Sequence, residues 1–197
     1  STLMRSSAAS DVYKRQIPHD AKSRNGGVMY TDYALGRFFA EASKQPWFAN
    51  TIFLITADHC ASSAGRTEIP LEKYHIPALI YAPGFVEPQH VGGIVSQIDL
   101  MPTLLSLLNM SYDSHFYGRS IYDEGYVNRA FIATYQDLGY LEGDVFTILS
   151  PVRRFEQYRV VPTEDNPHNL EPMETENPEQ VSRAIGYYQT SSAWNKR

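Results

Sequence analysis

The 197-residue sequence has a single cysteine, Cys60, so no intrachain disulfide can form, and one thiol says little about redox compartment. No stretch approaches the ~18 consecutive apolar residues of a membrane span. The amino terminus, "STLMRSSAASDVYKRQ", has basic residues with no apolar run behind them, so it does not read as a signal peptide. Basic runs and basic–aromatic stripes are missing as well. With 17 basic against 22 acidic residues and a formal net charge of −5, the chain is not expected to bind nucleic acid. No internal repeat stands out.

What is present suffices for a fold. At 43% hydrophobic and 13% aromatic, the chain can bury one core, and its length favours one domain with at most a small appendage. Residues 1–16 lack any period, and "DVYKRQ" has the look of translated adapter sequence. They are read as a non-native leader, with the fold running over 17–197. On that reading the natural protein extends further upstream.

Beyond the leader, "YTDYALGRFFAEASKQ" repeats Ala34, Leu35, Phe38, Phe39 and Ala42 at helical spacing, with Thr31 or Asp32 as the expected cap. "TIFLITA" is short, apolar on both parities and β-branched, as a strand covered on both faces of a parallel sheet should be. "HIPALIYAPG" reads as a second such strand, stopped by Pro83-Gly84. In "SQIDLMPTLLSLLNM", Asp99 can cap a helix, Pro102 falls in its first turn, and Asn109 can stop it. "RAFIATY" is a third strand, and "DVFTILS" with "RRFEQYRVV" an antiparallel pair. From Pro162 to Gln180, four prolines and six acids occur without a lysine or arginine, which predicts a surface excursion. "PEQVSRAIGYYQTSSAW" then resumes helical spacing. The expected fold is α/β, a layered sandwich around a mostly parallel central sheet, with a small C-terminal antiparallel strand pair.

The chemistry gathers where "TIFLITADHC" ends. Ligands of open α/β sheets bind beyond the carboxyl ends of strands, and Asp58 and His59 lie there. A carboxylate beside a neutral imidazole suits Zn²⁺ or Mn²⁺, and an oxygen-rich remainder would favour Mn²⁺ or Mg²⁺. Neighbours on a regular strand point to opposite faces, so both can reach one ion only if the strand stops and the chain turns. The competing reading makes Asp58 a turn cap and His59 an ordinary hydrogen-bonding residue. Two residues alone do not specify a metal site.

"TADH" resembles the Asp-His element of the sulfatase and alkaline-phosphatase-like superfamily. With "YTDYALGRFF" before it and "EKYHIPALIYAPG" and "SQIDLMPTLLSLL" after it, the chain is similar to the lipoteichoic-acid-synthase-like branch, over about Ile17 to Trp194. That resemblance implies an alkaline-phosphatase-like fold and a transferase of phosphoglycerol or phosphoethanolamine, or a related ester hydrolase. Asp58 and His59 match two ligands of the family's catalytic cation, manganese or zinc, with magnesium or calcium as alternatives. The family's covalent nucleophile has no match here and is expected upstream, so no catalytic residue is assigned and this chain alone should be inactive. His19 does not match the family's substrate histidine and reads as a loop residue.

Arg66 is a candidate partner for an anionic substrate oxygen, against the alternative of a solvated loop arginine. His75 is a second substrate-binding candidate, against a structural histidine. Asp99 is explained by its cap role, and Cys60 by small-residue packing. The resemblance implies a phospholipid head group, a glycan, or a sulfate or phosphate ester as substrate. It also implies a periplasm-facing domain of a bacterial inner-membrane protein, tethered only through the upstream region. The alternative function is a non-catalytic sulfatase-like module that binds lipid or protein.

Overall fold

The structure is a computed structural model that describes residues 24–60 and 69–194. The leader at 1–16, His19 and Arg66 lie outside the described residues. Two compact units emerge. One contains the helix near the start, with Ala82–Glu87; the other comprises Phe53–Tyr81 and everything from Pro88 onward.

In the first unit, α1 spans Arg24–Ala42. It begins well before the expected cap, so Thr31 lies inside the helix and its hydroxyl donates to the Gly27 carbonyl, one turn back, at 3.1 Å. Ala42 is buried on the expected face, whereas Leu35 and Phe38 stay 38% and 49% exposed. No helix among the described residues is long and apolar enough to cross a membrane.

The second unit opens with β1 (Phe53–Thr56) and β2 (Ala78–Tyr81). They pair antiparallel, Phe53 opposite Tyr81 and Thr56 opposite Ala78. This corrects the expectation of two parallel, doubly covered strands. A parallel pair needs a long crossover, usually a helix. The described part of the connection holds only a single 3₁₀ turn at Leu71–Tyr74. Leu79 and Tyr81 accordingly remain exposed.

Helix α2 (Leu100–Leu107) follows a 3₁₀ turn at Gln97–Asp99. Its end is a Schellman motif. Asn109 takes φ 52°, its N–H reaches the Ser106 carbonyl, and the Met110 N–H reaches Leu105. The five strands β3 (Arg129–Ala133), β4 (Leu138–Glu142), β5 (Val145–Ser150), β6 (Arg154–Val160) and β7 (Leu170–Pro172) form one antiparallel meander in chain order. The expected β5–β6 pair is therefore the middle of a larger sheet. Part of the proline-rich excursion supplies its last strand. Among the described residues both sheets are antiparallel.

Pleating sorts this sheet into two covered faces. One face carries Ile132, Leu141 and Phe146, which pack with Ile69 and Leu71 to make the apolar core. Gly139 is needed there, because a β-carbon would lie 2.8 Å from the Phe146 ring. The other face meets α3 (Pro178–Trp194). Asn177 caps that helix through its side chain to the Gln180 N–H at 3.1 Å. The Gln180 amide then donates to the Val145 carbonyl at 2.7 Å, and Tyr187 stacks edge-on against Phe131 at 4.9 Å. The Tyr188 hydroxyl lies 2.9 Å from the Ile132 carbonyl and 2.7 Å from that of Gly139.

One buried ion pair joins these parts. Asp99 and Arg129 are 0% and 1% exposed. Arg129 Nη2 donates to Asp99 Oδ1 at 3.1 Å and Nη1 to Oδ2 at 3.4 Å. The same carboxylate accepts the backbone N–H of Arg119 at 2.8 Å, that of Ser96 at 3.2 Å, and the Tyr126 hydroxyl at 2.9 Å. Burial, reinforced by the bond to Asp99, pushes the Tyr126 phenol far above its ordinary range. Arg129 also donates to the carbonyls of Val127 and Tyr117, and its guanidinium lies within 6 Å of the Tyr126, Phe131 and Tyr187 rings. Among the described residues its Nε alone has no hydrogen-bond partner. Gly118 permits the approach, since a β-carbon there would meet the Ile98 carbonyl oxygen at 1.9 Å. Asp99 precedes α2 as expected, yet its side chain makes no cap bond to that helix. The cap reading is thus corrected.

Removing one partner of a buried ion pair strands the other charge. Arg129→Leu should lower the unfolding free energy by about 3–5 kcal/mol in urea titration. Arg119→Ala, which removes a half-exposed arginine 3.5 Å from Asp123, should cost less than about 1 kcal/mol. Similar losses from both would contradict the assignment. A pH prediction concerns Tyr188, whose phenol is pushed by burial from its ordinary 10.0 up to about 12. The folded state therefore keeps a proton that the unfolded chain releases, and stability should fall as pH rises from 10 toward 12. Tyr188→Phe should flatten that slope in alkaline thermal melts.

Candidate functional site

The end of β1 meets the geometric condition for two adjacent ligands. The Thr56 hydroxyl donates to the Pro77 carbonyl at 3.1 Å and the Ala57 N–H reaches the same oxygen at 3.4 Å. Regular pairing then stops and the chain bends at Asp58 and His59. Asp58 Oδ1 accepts the His59 N–H at 2.9 Å, which turns the carboxylate back toward its neighbour. His59 Nδ1 lies 2.8 Å from the Cys60 carbonyl. A carbonyl only accepts, so this contact is a hydrogen bond when Nδ1 carries the hydrogen, and in the neutral form of that ring Nε2 carries the lone pair.

That free Nε2 stands 3.5 Å from Asp58 Oδ2. Two ligand atoms of a tetrahedral ion with bonds of about 2.0–2.2 Å are roughly 3.4 Å apart. The donor atoms, their spacing and the ring tautomer therefore fit two positions of a divalent cation's shell. Both side chains are open to solvent, 87% for Asp58 and 74% for His59, so both donors are accessible. Among the described residues, no group of three or more His, Cys, Asp or Glu side chains is placed to hold a metal.

His75 follows the 3₁₀ turn at Leu71–Tyr74, is exposed, and meets the His168 ring edge-on at 5.4 Å. It is not grouped with Asp58 and His59. Arg66 lies outside the described residues. Cys60 is a half-buried free thiol whose carbonyl, not its sulfur, serves the site.

A residue that the motif reading passed over is Gln97. Its side-chain amide donates to the Ala57 carbonyl at 3.0 Å and approaches that of Asp58 at 3.5 Å. Its position in "SQIDLMPT", two residues before Asp99, was the available signal. A shallow cavity in the same unit, lined by His90, Tyr122, Tyr126 and Asn128 among others, does not include Asp58 or His59.

The sulfatase family model matches residues 5–110, more than half of the chain and including both donors. This chain belongs to the sulfatase family. Arylsulfatase K of Gallus gallus is 27% identical over 96 residues, 46% of this chain and 18% of that protein. A protein in the alkaline phosphatase superfamily from Vibrio parahaemolyticus superposes with a TM-score of 0.73 at 30% identity, covering 88% of this chain and 44% of its own. Ps i-CgsB, also solved in complex with k-i-k-neocarrahexaose, superposes at 0.55 with 15% identity over 98% of this sulfatase chain and 47% of its own; that likeness concerns the fold alone. The fold is thus alkaline-phosphatase-like. The sulfatase chain spans less than half the length of each of these proteins.

The geometry makes one spectroscopic prediction. At a pH where His59 is neutral, ¹⁵N-detected NMR should show hydrogen on Nδ1 and a bare Nε2. Hydrogen on Nε2 would mean that the ring cannot offer that atom as a ligand.

Proposed function

We propose that this chain is the metal-binding C-terminal part of a sulfatase-family catalytic domain acting on phosphate or sulfate esters. The observation that carries the reading is the His59 ring, with Nδ1 2.8 Å from the Cys60 carbonyl and Nε2 3.5 Å from Asp58 Oδ2, in a family-matched segment. Asp58 and His59 would each give one ligand to a divalent cation, Mn²⁺ or Zn²⁺ by donor type. Such an ion, when bound, withdraws charge from an ester oxygen and lowers the pKa of an attacking hydroxyl.

The protein's own contribution at this point is orientation. The Asp58 carboxylate is turned by the His59 N–H, and the imidazole is oriented by the contact of its Nδ1 with the Cys60 carbonyl. The remaining ligands and the nucleophile are assigned to residues outside those described. Within the family, the lipoteichoic-acid-synthase-like branch is proposed from the order of its four motifs, with a phosphoglycerol or phosphoethanolamine head group as the transferred unit. A periplasmic face at a bacterial inner membrane accompanies that branch reading.

In the intact protein, Asp58→Ala should abolish metal-dependent turnover of an aryl phosphate or sulfate ester. Unchanged turnover with metal still bound would remove Asp58 from the site. The 197-residue chain alone should show no turnover. Robust activity from it would place the nucleophile inside this sequence. Metal binding without turnover of any ester by the intact protein would favour the non-catalytic module.

A further inference from the structure

Gln97 reaches out of a turn that is fixed from behind. It opens the 3₁₀ turn Gln97–Asp99, and the last residue of that turn is the fully buried Asp99. Asp99 is clamped by Arg129 through two charge-assisted bonds and holds the Ser96 N–H, so the turn has donors or carbonyl oxygens fixed on both sides of Gln97. The Thr103 hydroxyl secures the same turn through the Asp99 carbonyl at 2.7 Å. From this base, Gln97 Nε2 bonds the Ala57 carbonyl at 3.0 Å and lies 3.5 Å from that of Asp58. The chain there has left the β1–β2 ladder, and regular strand pairing no longer fixes it.

We infer that Gln97 is a positioning residue for the Asp58–His59 pair: its amide transmits the rigidity of the buried Asp99–Arg129 anchor to the backbone carrying the two donors. The inference rests on the metal reading of that pair. Gln97 does not touch the donor atoms; it fixes the two carbonyls from which the bend starts. An amide suits this task because it is neutral, long enough to span the gap, and can donate to two acceptors. A glutamate would set a carboxylate against two carbonyl oxygens, and a leucine would leave both without this donor.

The test is a Mn²⁺ titration of the 197-residue chain, following paramagnetic broadening of the His59 ring proton by NMR. This readout needs no turnover and detects weak binding. In the wild type, His59 should broaden selectively and saturably, and Asp58→Ala should abolish that selectivity. Gln97→Leu should raise the Mn²⁺ midpoint about tenfold, as loss of an outer-shell partner typically does. Its thermal unfolding midpoint should stay near that of the wild type, because Gln97 is exposed. A Gln97→Leu titration that overlays the wild type, with Asp58→Ala still abolishing binding, overturns the role of Gln97 and leaves the metal reading intact. Absence of selective broadening in the wild type overturns the metal reading and this inference with it. A weakened midpoint accompanied by a large fall in thermal stability also overturns it, since the effect would then be loss of fold.

Discussion

Among the described residues, the buried contact between Asp99 and Arg129 ties together backbone segments that no sheet pairing joins. Neither charge meets water, so each depends on the other and on the polar groups around them. The carboxylate ties down the Ser96 and Arg119 backbone and the Tyr126 hydroxyl, while the guanidinium holds the carbonyls of Tyr117 and Val127. Three stretches that make no ladder with one another, at Ser96–Asp99, Tyr117–Arg119 and Tyr126–Val127, are thereby fixed against the first residue of the five-stranded sheet. An apolar core alone would tolerate sliding among these loops. A buried charge with directional bonds does not.

The candidate site depends on that anchor while lying outside it. Asp58 and His59 are solvent-open, carry no core packing, and sit where strand pairing has just ended. Such a position suits ligand atoms, which must be accessible, but leaves their geometry weakly determined by local structure. The bonds from the Gln97 amide supply a link from the exposed bend to the buried anchor. The pair lies in the segment that the sulfatase family model matches. Two donor side chains with their oxygen and ring nitrogen 3.5 Å apart are what the described residues provide at this bend.

Much of this was legible in the residues. The helical spacing from Pro178 marks α3, and Asn109 ends α2 as expected, the latter resting on local backbone chemistry that tertiary contacts rarely override. The β5–β6 pair was readable from alternation. Strand β4 was missed: "LGYLE" offers a glycine and a glutamate where a strand pattern wants apolar residues, and Gly139 is there only to admit the Phe146 ring. Strand β7 was hidden in a proline-rich, acidic segment whose pairing with β6 is a long-range matter. The orientation of β1 and β2 likewise depends on their connection, since an apolar run looks the same in either direction. At the end of β1, adjacency together with the family resemblance of "TADH" made Asp58 and His59 visible. Asp99 was taken for a cap because its partner, Arg129, is thirty residues away and looks like the polar edge of a strand. Gln97 was invisible for the same reason.

The most direct test of this account is native-state hydrogen exchange at the two backbone amides that the Asp99 carboxylate holds, those of Ser96 and Arg119. Both lie in loops, where exchange is ordinarily fast. If Asp99–Arg129 is the anchor, they should exchange only with global unfolding, at the same opening free energy as the slowest amides of β5. Exchange through local fluctuations, while β5 remains protected, would contradict it.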